Sequence, residues 1–353
     1  MRFSPLFRFR IFALAAALLV LLPACAGGVP ADEPFNNAML AMDTMITQTA
    51  YGPNAAEAMQ QFNTELAALE ARLSMYLPGS DIARINAAAG LGGADVSPET
   101  ADLLRQGLAL SAASEGAFAF TIAPITMAWG IISENPRVVP QAEIDALLPL
   151  VNDSLVSING SHVTLPLAGM GLDLGAFAKG AACSLARDIY TRFGVKSAFV
   201  SLGGSSIYVH GTKPDGTPFR IGFRDPAQSE TASIASFTMQ DEAIGVSGGY
   251  ERYFVGEDGE AYIHIMDART GRPAETDILS VGVICPDGAE ADFYSTSLFI
   301  LGKERCLQFM RSGGKALLLD KENNLYVSES LRGSFSLNEG LEDTYTVVFV
   351  AEE

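Results

Sequence analysis

The sequence predicts an α+β fold in which helices pack against a largely antiparallel sheet. Short stretches rich in β-branched and aromatic residues cluster in the middle and end of the chain, and turns typical of hairpins separate them. Helical patterns do not alternate strictly with these stretches, as they would in a parallel sheet. The chain has no internal repeat, and no linker separates independent domains after residue 37. Residues 38–353 are therefore expected to form one large domain or two closely packed ones.

Five stretches carry helix signals. The first follows Asn54, a candidate N-cap with Glu57 three residues later, and has one apolar face at spacings of three and four. The second begins at Ser97-Pro98-Glu99, where a serine cap precedes a proline in the first turn. The remaining helices are predicted over residues 140–150, 177–193 and 291–301.

Strands are predicted from short runs of strand-forming residues. An extended segment covers residues 39–51, ahead of the first helix. Residues 155–165 are predicted to form a hairpin that turns at Asn159-Gly160, a pair that favours two-residue turns. Further strands are predicted over residues 197–201, 206–209, 219–223, 261–266, 279–284, 316–319 and 345–350.

The N-terminus has the features of an export signal. Three arginines precede an apolar run over residues 11–22, which is too short for a good membrane-spanning helix. Leu22-Pro23-Ala24-Cys25 resembles a bacterial lipobox, after which the cysteine is lipidated. We expect a lipoprotein signal peptide over residues 1–25, a tether over 26–37 and a lipid anchor on the extracytoplasmic face of the cell membrane. An ordinary signal peptide, with Cys25 incidental, is the alternative.

The chain is strongly acidic, with 23 Lys and Arg residues, 41 Asp and Glu residues and a formal net charge of −18. Such a charge repels nucleic acid and anionic lipid surfaces, so neither is an expected ligand. A ligand that carries phosphate would have to be held by local features, such as backbone amides, a few cations or a metal ion.

Three cysteines follow the leader: Cys183, Cys285 and Cys306. Their number is odd and their spacing is not that of a metal site. Two of them lie in apolar helical stretches, so buried free thiols are expected. One disulfide stays open as an alternative in an oxidising compartment, although nothing in the sequence selects the pair.

Asp292, Ser295 and Thr296 are candidate metal ligands. At positions i, i+3 and i+4 of a predicted helix they share one face, and a set of oxygen ligands suits a hard cation such as Mg²⁺. Taken alone, the pattern is more often a first helical turn in which Asp and Ser act as caps. Zinc is not expected, because the three histidines are isolated from one another and from cysteine.

A second polar stretch runs from His264 to Pro273, where a predicted strand ends in a turn. His264 and Asp267 are candidates for acid–base or metal-shell roles, although a lone histidine on a strand is more often structural. Glycines at 203–204 and 248–249 form either ordinary turns or backbone cradles for a ligand. The stretch 169–175 has the wrong spacing for a dinucleotide fingerprint, but a glycine-rich turn at a helix start allows a ligand to approach closely.

In this order, these stretches and several others resemble the ApbE family of FAD:protein FMN transferases over residues 42–302. The matching blocks are Met42-Asp43-Thr44; Leu73-Ser74-Met75-Tyr76 through Ser80 to Asn86; Gly116-Ala117-Phe118-Ala119-Phe120-Thr121 to Pro124; Trp129-Gly130; Leu172-Asp173 through Ala176 to Lys179-Gly180; Ser201 to Gly204; Arg220 to Gly222; Asp225-Pro226; Ser247-Gly248; Tyr250 to Arg252; His264 to Pro273; and Ala291 to Thr296.

The resemblance implies an ApbE-like architecture related to the T-fold and a Mg²⁺-dependent reaction. Such an enzyme cleaves FAD, releases AMP and attaches FMN by a phosphoester to a threonine of a partner protein, here exported flavoprotein subunits of membrane redox complexes. By position, the residues implied to line FAD are Met42, Tyr76, Ala117, Phe118, Ala119, Asp173, Lys179 and Met266. Those implied to hold Mg²⁺ are Asp292, Ser295, Thr296 and the carbonyl of Ala176. His264 is the implied acid–base residue nearest the attacking hydroxyl.

Three positions depart from the usual family pattern. Asp43 replaces a glycine, Ala119 replaces an aspartate, and Ser295 replaces a second acidic residue at the metal. Two other functions stay open from the sequence. One is a Mg²⁺-dependent FAD pyrophosphatase, in which water replaces the threonine, and the other is a non-catalytic flavin-binding lipoprotein.

Overall fold

The computed structural model describes residues 33–227 and 232–353. In these residues the helices are α1 (Ala55–Leu73), α2 (Asp81–Ala87), α3 (Pro98–Ser111), α4 (Ala123–Trp129), α5 (Gln141–Leu147), α6 (Ala178–Arg192), α7 (Gly288–Leu301) and α8 (Lys303–Arg311). The strands are β1 (Pro34–Ala41), β2 (Thr44–Tyr51), β3 (Ala94–Asp95), β4 (Ser157–Asn159), β5 (His162–Thr164), β6 (Ser197–Leu202), β7 (Ser206–Gly211), β8 (Phe219–Arg224), β9 (Ser233–Met239), β10 (Glu242–Gly248), β11 (Tyr253–Val255), β12 (Ala261–Ile263), β13 (Met266–Asp267), β14 (Arg272–Pro273), β15 (Ile278–Cys285), β16 (Lys315–Asp320), β17 (Asn324–Ser328), β18 (Ser336–Leu337) and β19 (Thr346–Val350).

The central sheet has nine strands in the order β1-β2-β6-β7-β10-β15-β16-β17-β19. Every neighbouring pair is antiparallel except β17 and β19, which run parallel. This arrangement confirms the predicted α+β fold with a largely antiparallel sheet. Smaller sheets flank it: β18-β9-β8, β3-β5-β4, β11-β12 and β13-β14.

Both faces of the central sheet are buried, by different layers. Strand β16 makes this visible: Ala316 and Leu318 join the core under the helices, whereas Leu317 and Leu319 join the core under the sheet β18-β9-β8. Alternate residues of a strand point to opposite faces, so an unbroken apolar strand is what a doubly covered sheet requires. Helices α1, α6 and α7 therefore lie on one face of the sheet, and this is the face on which the candidate site forms.

Glycines allow α6, α7 and β10 to approach one another closely. A Cβ atom on Gly180 of α6 would lie 2.2 Å from the carbonyl oxygen of Gly288 in α7. A Cβ atom on Gly245 of β10 would lie 2.6 Å from the carbonyl carbon of Ala291 and 2.7 Å from the amide nitrogen of Asp292. Both contacts are with backbone atoms, which cannot rotate away as a flexible side chain would. These two glycines fix how close α7 lies to α6 and to the sheet.

Gly245→Ala is expected to lower the free energy of unfolding by about 1–3 kcal/mol, because overpacking at a backbone contact forces the helix away from the sheet. The measurement is urea denaturation followed by circular dichroism. Gly333→Ala is the matched control, since a Cβ atom there meets no atom within 4 Å. Equal urea midpoints for the two variants would show that α7 shifts freely and that the close contact at Gly245 does not matter for stability.

All five predicted helices are present as α1, α3, α5, α6 and α7, with ends that differ by a few residues. The cap of α3 forms as predicted, since Ser97 Oγ accepts from the amide of Thr100 at 3.2 Å. The predicted capping box of α1 is wrong. Asn54 is the N-cap, but its side chain donates to the carbonyl oxygen of Phe193 at 2.8 Å and makes no cap bond.

The extended segment predicted over residues 39–51 contains the end of β1, the turn at Met42 and Asp43 and the whole of β2, so the chain reverses within it. The strand predicted over residues 261–266 is interrupted at His264, because β12 ends at Ile263 and β13 begins at Met266. The predicted hairpin is present as β4–β5, but it turns at Gly160-Ser161, one residue later than predicted, because Asn159 pairs with His162.

Strand β1 begins at Pro34, so residues 34–37, predicted to belong to the tether, are part of the sheet instead. The predicted leader over residues 1–25 lies outside the described residues. In the part of the chain that is described, no helix is both long and apolar enough to cross a membrane. Cys183, Cys285 and Cys306 are buried free thiols, as the sequence predicts.

Candidate functional site

Four elements meet at one polar centre between the helical layer and the sheet. They are the N-terminus of α6, the turn between β6 and β7, the end of β10 and the first two turns of α7. Close packing of α6, β10 and α7 brings their polar side chains together at the point where the strands end. Asp292 lies in the middle of this group.

Asp292 is a buried carboxylate held from two sides. Its Oδ2 atom accepts from the amide of Gly180 at 2.6 Å, and its Oδ1 atom accepts from Ser206 Oγ at 2.8 Å. Burial raises its pKa to about 6, while the charge of Lys179 and these two hydrogen bonds oppose the rise. Asp292 is therefore largely ionised at neutral pH, a buried charge near one cation and a helix N-terminus.

Three hydroxyl groups form a cluster next to Asp292. Ser247 Oγ lies 3.1 Å from Ser295 Oγ and 3.2 Å from Thr296 Oγ1. Ser295 also donates to the backbone carbonyl of Asp292 at 3.0 Å. The predicted ligands on α7 thus share one face, as their spacing requires, and Ser247 adds a hydroxyl from β10.

Lys179 and Ala176 complete the centre on the α6 side. Lys179 Nζ donates a short hydrogen bond to Ser205 Oγ in the β6–β7 turn. Gly180 is in the first turn of α6, where backbone amides have no acceptor within the helix, and its amide donates to Asp292 instead. Ala176, two residues before α6, is exposed.

His264 approaches the centre from the excursion between β10 and β15. Its backbone amide and its Nδ1 atom both donate to the carbonyl of Arg252, each at 3.0 Å. Because a carbonyl only accepts, Nδ1 carries the proton and Nε2 holds the free electron pair of the neutral ring. Burial, together with the charges of Arg252 and Lys179, lowers the pKa of His264 to about 4, although the hydrogen bond to the Arg252 carbonyl opposes the shift. The ring is therefore an uncharged base at neutral pH.

Asp267, the other polar candidate in this stretch, holds its own turn together. Its Oδ1 atom accepts from the amide and Nε of Arg269, both at 2.9 Å, and its carbonyl accepts from the amide of Gly271 at 2.9 Å. The carboxylate is thus committed to the turn after β13, and we assign it a structural role.

Tyr76 and Asp173 lie close enough for the charge of Asp173 to raise the pKa of Tyr76, after the larger effect of burial. Tyr76 is 63% exposed as a residue, so part of its side chain is accessible to a ligand. Asp173 accepts from the amide of Gly175 at 2.8 Å and from Thr126 Oγ1 at 3.0 Å. These bonds fix the glycine-rich stretch that leads into α6.

Three residues of the set implied to line FAD are buried. Ala117 is in the core, and the ring of Phe118 packs edge to face against Phe120 and Phe293 at centroid distances of 4.9 Å and 5.2 Å. Met266 belongs to a small apolar cluster around Trp129. The Phe118 ring therefore packs in the core and does not form an open stacking surface, and Tyr76 is the accessible aromatic residue of the set. Ala119 is half-buried.

Met42 and Asp43 form the turn of the β1–β2 hairpin, with φ values of 52° and 56°. Met42 donates its amide to Glu70 Oε1 at 2.8 Å. Asp43 is the residue that replaces the usual glycine, and Arg252 balances its charge. Arg252 Nη1 forms an ion pair with Asp43 Oδ2 at 2.8 Å, and Arg252 Nη2 donates to the Asp43 carbonyl at 3.1 Å. This conformation is one that aspartate tolerates better than most residues, and the ion pair ties the turn to the backbone that holds His264.

Sequence reasoning missed four residues of this centre: Ser205, Ser206, Ser247 and Arg252. Ser247 stands in a stretch that was considered only as a backbone cradle, and Arg252 acts through its carbonyl, which has no sequence signature. Serines 205 and 206 directly follow the glycine pair 203–204, and this adjacency is the signal that could have identified them.

The comparison with known families agrees with this geometry. A model of the ApbE family matches residues 42–318. This chain belongs to the ApbE family. The match includes every element that contributes to the polar centre.

Relatives of this ApbE-family chain are named FAD:protein FMN transferases. The chain is 31% identical over 279 residues to the one from Escherichia coli strain K12, covering 77% of this chain and 79% of the relative. It is 34% identical over 261 residues to one from Klebsiella pneumoniae, covering 73% and 80%. The ApbE protein of Thermotoga maritima superposes with a TM-score of 0.78 at 27% identity, covering 84% of this chain and 98% of that one. The flavinyl transferase ApbE of Pseudomonas stutzeri, apo form, gives 0.74 at 29%, covering 82% and 92%.

Proposed function

We propose that this chain uses Mg²⁺ to cleave FAD and attaches FMN to a threonine hydroxyl of an exported flavoprotein acceptor, with AMP as the leaving group. By homology the chain is an FAD:protein FMN transferase. The metal, the acceptor side chain and the location are the proposed parts. The observation that carries the proposal is the position of Asp292, which is buried and held at 2.6 Å by the amide of Gly180, the residue that follows Lys179 at the start of α6. The charge of Lys179 acts on both Asp292 and His264, so a carboxylate, a cation and a neutral base belong to this part of the molecule.

The residues at the centre fit Mg²⁺. They offer one carboxylate, the hydroxyls of Ser295 and Thr296 and the carbonyl of Ala176, all of them oxygen donors. Within the described residues there is no group of three or more His, Cys, Asp or Glu side chains that could hold an ion alone. Mg²⁺ commonly binds through one or two carboxylates and completes its shell with water and substrate phosphates. When bound, it would neutralise charge that develops on the pyrophosphate.

The chain's own residues then supply positioning and proton transfer. Lys179 and the N-terminus of α6 favour the negative charge of the pyrophosphate. His264 Nε2 accepts the proton of the threonine hydroxyl as the threonine oxygen bonds to the FMN phosphorus. The bond between that phosphorus and the bridging oxygen breaks, and AMP leaves with the oxygen. Tyr76 offers an aromatic face to a ring of FAD.

The rate of AMP release is expected to fall on the acid side with a midpoint near pH 6 at low Mg²⁺. The metal needs the ionised form of Asp292, whose pKa is about 6, so protons compete with Mg²⁺ as the pH falls through that value. His264 adds no change above about pH 5, because its pKa is about 4 and it stays neutral there. Rates measured from pH 4.5 to 8 at two Mg²⁺ concentrations would test this. A midpoint that does not move to lower pH at higher Mg²⁺ would contradict the assignment of Asp292 as a ligand.

We further propose that Cys25 is lipidated and anchors the protein on the extracytoplasmic face of the membrane, on the evidence of the lipobox-like sequence that ends in it. In a bacterial host, the full chain is expected to label with palmitate and to sediment with membranes. Cys25→Ser is expected to lose the label and the membrane association. A labelled serine variant, or an unlabelled wild-type chain, would favour an ordinary signal peptide.

The experiment that tests the proposed reaction combines residues 26–353, FAD, Mg²⁺ and an exported flavoprotein domain with a candidate threonine. Intact-mass analysis of the acceptor and detection of AMP are read together. An FMN adduct that requires Mg²⁺ and is lost when the threonine is replaced by alanine supports the proposal. AMP without an adduct would indicate hydrolysis by water, and bound FAD without either product would indicate a flavin-binding protein.

A further inference from the structure

We propose that the open edge of strand β11, with the groove beside it, binds the threonine-bearing segment of the acceptor protein as an added strand. The inference rests on the proposed function, because it names the surface that delivers the hydroxyl to His264. It concerns a different part of the molecule from the residues around Asp292, so the docking proposal and the proposed reaction can fail separately.

The groove has a volume of about 380 Å³. One wall is the loop of residues 131–133, which follows α4, and the other wall is the chain of residues 251–253, which leads into β11. Asp43, at the β1–β2 turn, also lines it. Arg252 is shared with the polar centre, through the carbonyl that holds His264, and none of the other lining residues belongs to the groups around Asp292. The groove is therefore next to the centre and is not the proposed metal site itself.

Among the described residues, strand β11 is paired with another strand on one side only. It pairs with β12 in an isolated two-stranded sheet. Within the antiparallel register, the amide of His264 donates to Arg252 and the amide of Gly256 donates to Glu260, so residues 252, 254 and 256 point their backbone groups at β12. Hydrogen bonding alternates along such a pair. The N–H and C=O groups of Tyr253 and Val255 therefore point to the other side of the strand, toward an edge that β12 does not cover.

Apolar side chains mark the same edge. Tyr253 is 55% exposed and Val255 is 59% exposed, and across the groove Ile132 is 52% exposed. Val138, also exposed, lies beside Gly256 at the end of β11. An exposed strand edge bordered by apolar side chains is the arrangement into which extended peptides add as a further strand.

The edge is continuous with the catalytic centre. Arg252, which directly precedes β11, supplies the carbonyl that holds both the backbone and the imidazole of His264. The Arg252 carbonyl points toward β12, so His264 lies on the side of β11 opposite to the open edge. A segment paired with Tyr253 and Val255 would pass Arg252 on that open side, and the threonine would lie in the part of the segment that continues beyond the paired residues toward the His264 ring.

A polypeptide fits this edge better than a small molecule does. The open backbone groups of alternate residues repeat at the spacing of a strand, about 6.6–6.8 Å for two residues. The turn from β11 to β12 carries Glu257, Asp258 and Glu260. Charge complementarity therefore favours a neutral or basic residue in the part of the segment that lies over this turn.

Val255→Pro is the sharpest test. It removes a donor from the open edge and leaves the β11–β12 hydrogen bonds intact, because the amide of Val255 does not point at β12. We expect the KM for the acceptor domain to rise roughly tenfold, and a similar rise for Ile132→Asp, which places a charge in the opposite wall. Val255→Thr keeps the amide and the β-branched shape and is expected to behave like the wild type.

AMP release from FAD in the absence of acceptor is the internal control. Water needs no docking edge, so this rate and the FAD affinity are expected to stay unchanged in Val255→Pro and Ile132→Asp. Leu91→Asp introduces the same charge at a leucine that is 82% exposed and does not line the groove, and it is expected to leave the acceptor KM unchanged. Unchanged acceptor KM in both groove variants would overturn the proposal.

A binding measurement separates docking from chemistry. An acceptor domain with its threonine replaced by alanine is immobilised, and wild-type protein, Val255→Pro and Val255→Thr are passed over it. Binding of the wild type and Val255→Thr but not of Val255→Pro supports the docking edge, even if no FMN adduct ever forms. Equal binding of all three, or of none, contradicts it, whatever the outcome for the transfer reaction.

Discussion

Replacing Asp292 by alanine is expected to abolish Mg²⁺-dependent AMP release from FAD, with a loss of at least about a thousandfold. In the part of the chain that the structure describes, Asp292 is the carboxylate at the meeting point of α6, β7, β10 and α7. The remaining donors at that point are hydroxyls and one carbonyl, which carry no charge to hold a divalent ion. FAD binding is expected to persist, because Tyr76 and Lys179 are untouched. AMP is measured by chromatography across a Mg²⁺ series, and FAD binding by quenching of flavin fluorescence.

A loss of folding must be separated from a loss of metal in this experiment. Alanine leaves the amide of Gly180 and the hydroxyl of Ser206 without their acceptor, at a cost of about 1–3 kcal/mol each. Asp292→Asn keeps the size of the side chain and one acceptor oxygen, so it should fold as well as the wild type and still lack the charge. Full AMP release by a well-folded Asp292→Asn protein would remove Asp292 from the metal site.

The fold was predictable where local signals were strong. Helices α1 and α3 have regular apolar faces and clear starts, and the Asn159-Gly160 pair identifies its hairpin. Strand β10 was missed, although it lies between β7 and β15 in the middle of the sheet. Its sequence contains Gly245 and ends in Ser247-Gly248, which resembles a turn. Gly245 is required because α7 packs on the strand, a contact between distant segments that no local pattern reveals.

Short helices were also missed, as were strands β9 and β17 and helix α8. Helices α2 and α4 have seven residues each, too few to establish a periodic pattern. Their positions are set by tertiary hydrogen bonds. The segment before α4, for example, is held by Asp153, which accepts from the amides of Phe120 and Thr121 at 2.9 Å each. Asp153 lies far along the chain and gives no signal in the sequence.

The candidate site was predictable as a set of residues but not as a geometry. The face shared by Asp292, Ser295 and Thr296 followed from helix periodicity. The sequence does not reveal that Ser247 reaches the hydroxyls of Ser295 and Thr296, or that the first-turn amide of Gly180 donates to Asp292. It also does not reveal that Phe118 packs in the core. Each of these depends on how close α6, α7 and β10 lie, and glycines set that distance.

Two departures from the usual family pattern have a local compensation. Asp43 pairs with Arg252, so its charge is balanced and the hairpin turn keeps its left-handed conformation. Ser295 donates to the carbonyl of Asp292 and contacts Ser247, so it is integrated into the hydroxyl cluster. The half-buried Ala119 has no polar side chain, and no compensation is visible for it.

His264→Ala is expected to slow FMN transfer by about a hundredfold to ten-thousandfold while FAD affinity changes little. The reason lies in the position of the proton: Nδ1 is fixed by the carbonyl of Arg252, and Nε2 of a ring with a pKa of about 4 is free to accept the threonine proton. Single-turnover transfer is measured together with FAD binding. Added imidazole should restore part of the rate, since a small base can occupy the space that the side chain leaves.

His210→Ala is the matched control for that experiment. His210 is also partly buried with a lowered pKa, but both of its ring nitrogens have partners, Tyr208 Oη at 2.8 Å and the Val195 carbonyl at 2.9 Å. Its loss should lower stability and leave the transfer rate per folded molecule unchanged. A collapse of FAD affinity in His264→Ala, without rescue by imidazole, would make His264 a binding residue and move the proton to another acceptor. The contrast between the two histidines therefore tests the free Nε2 of His264 and not burial alone.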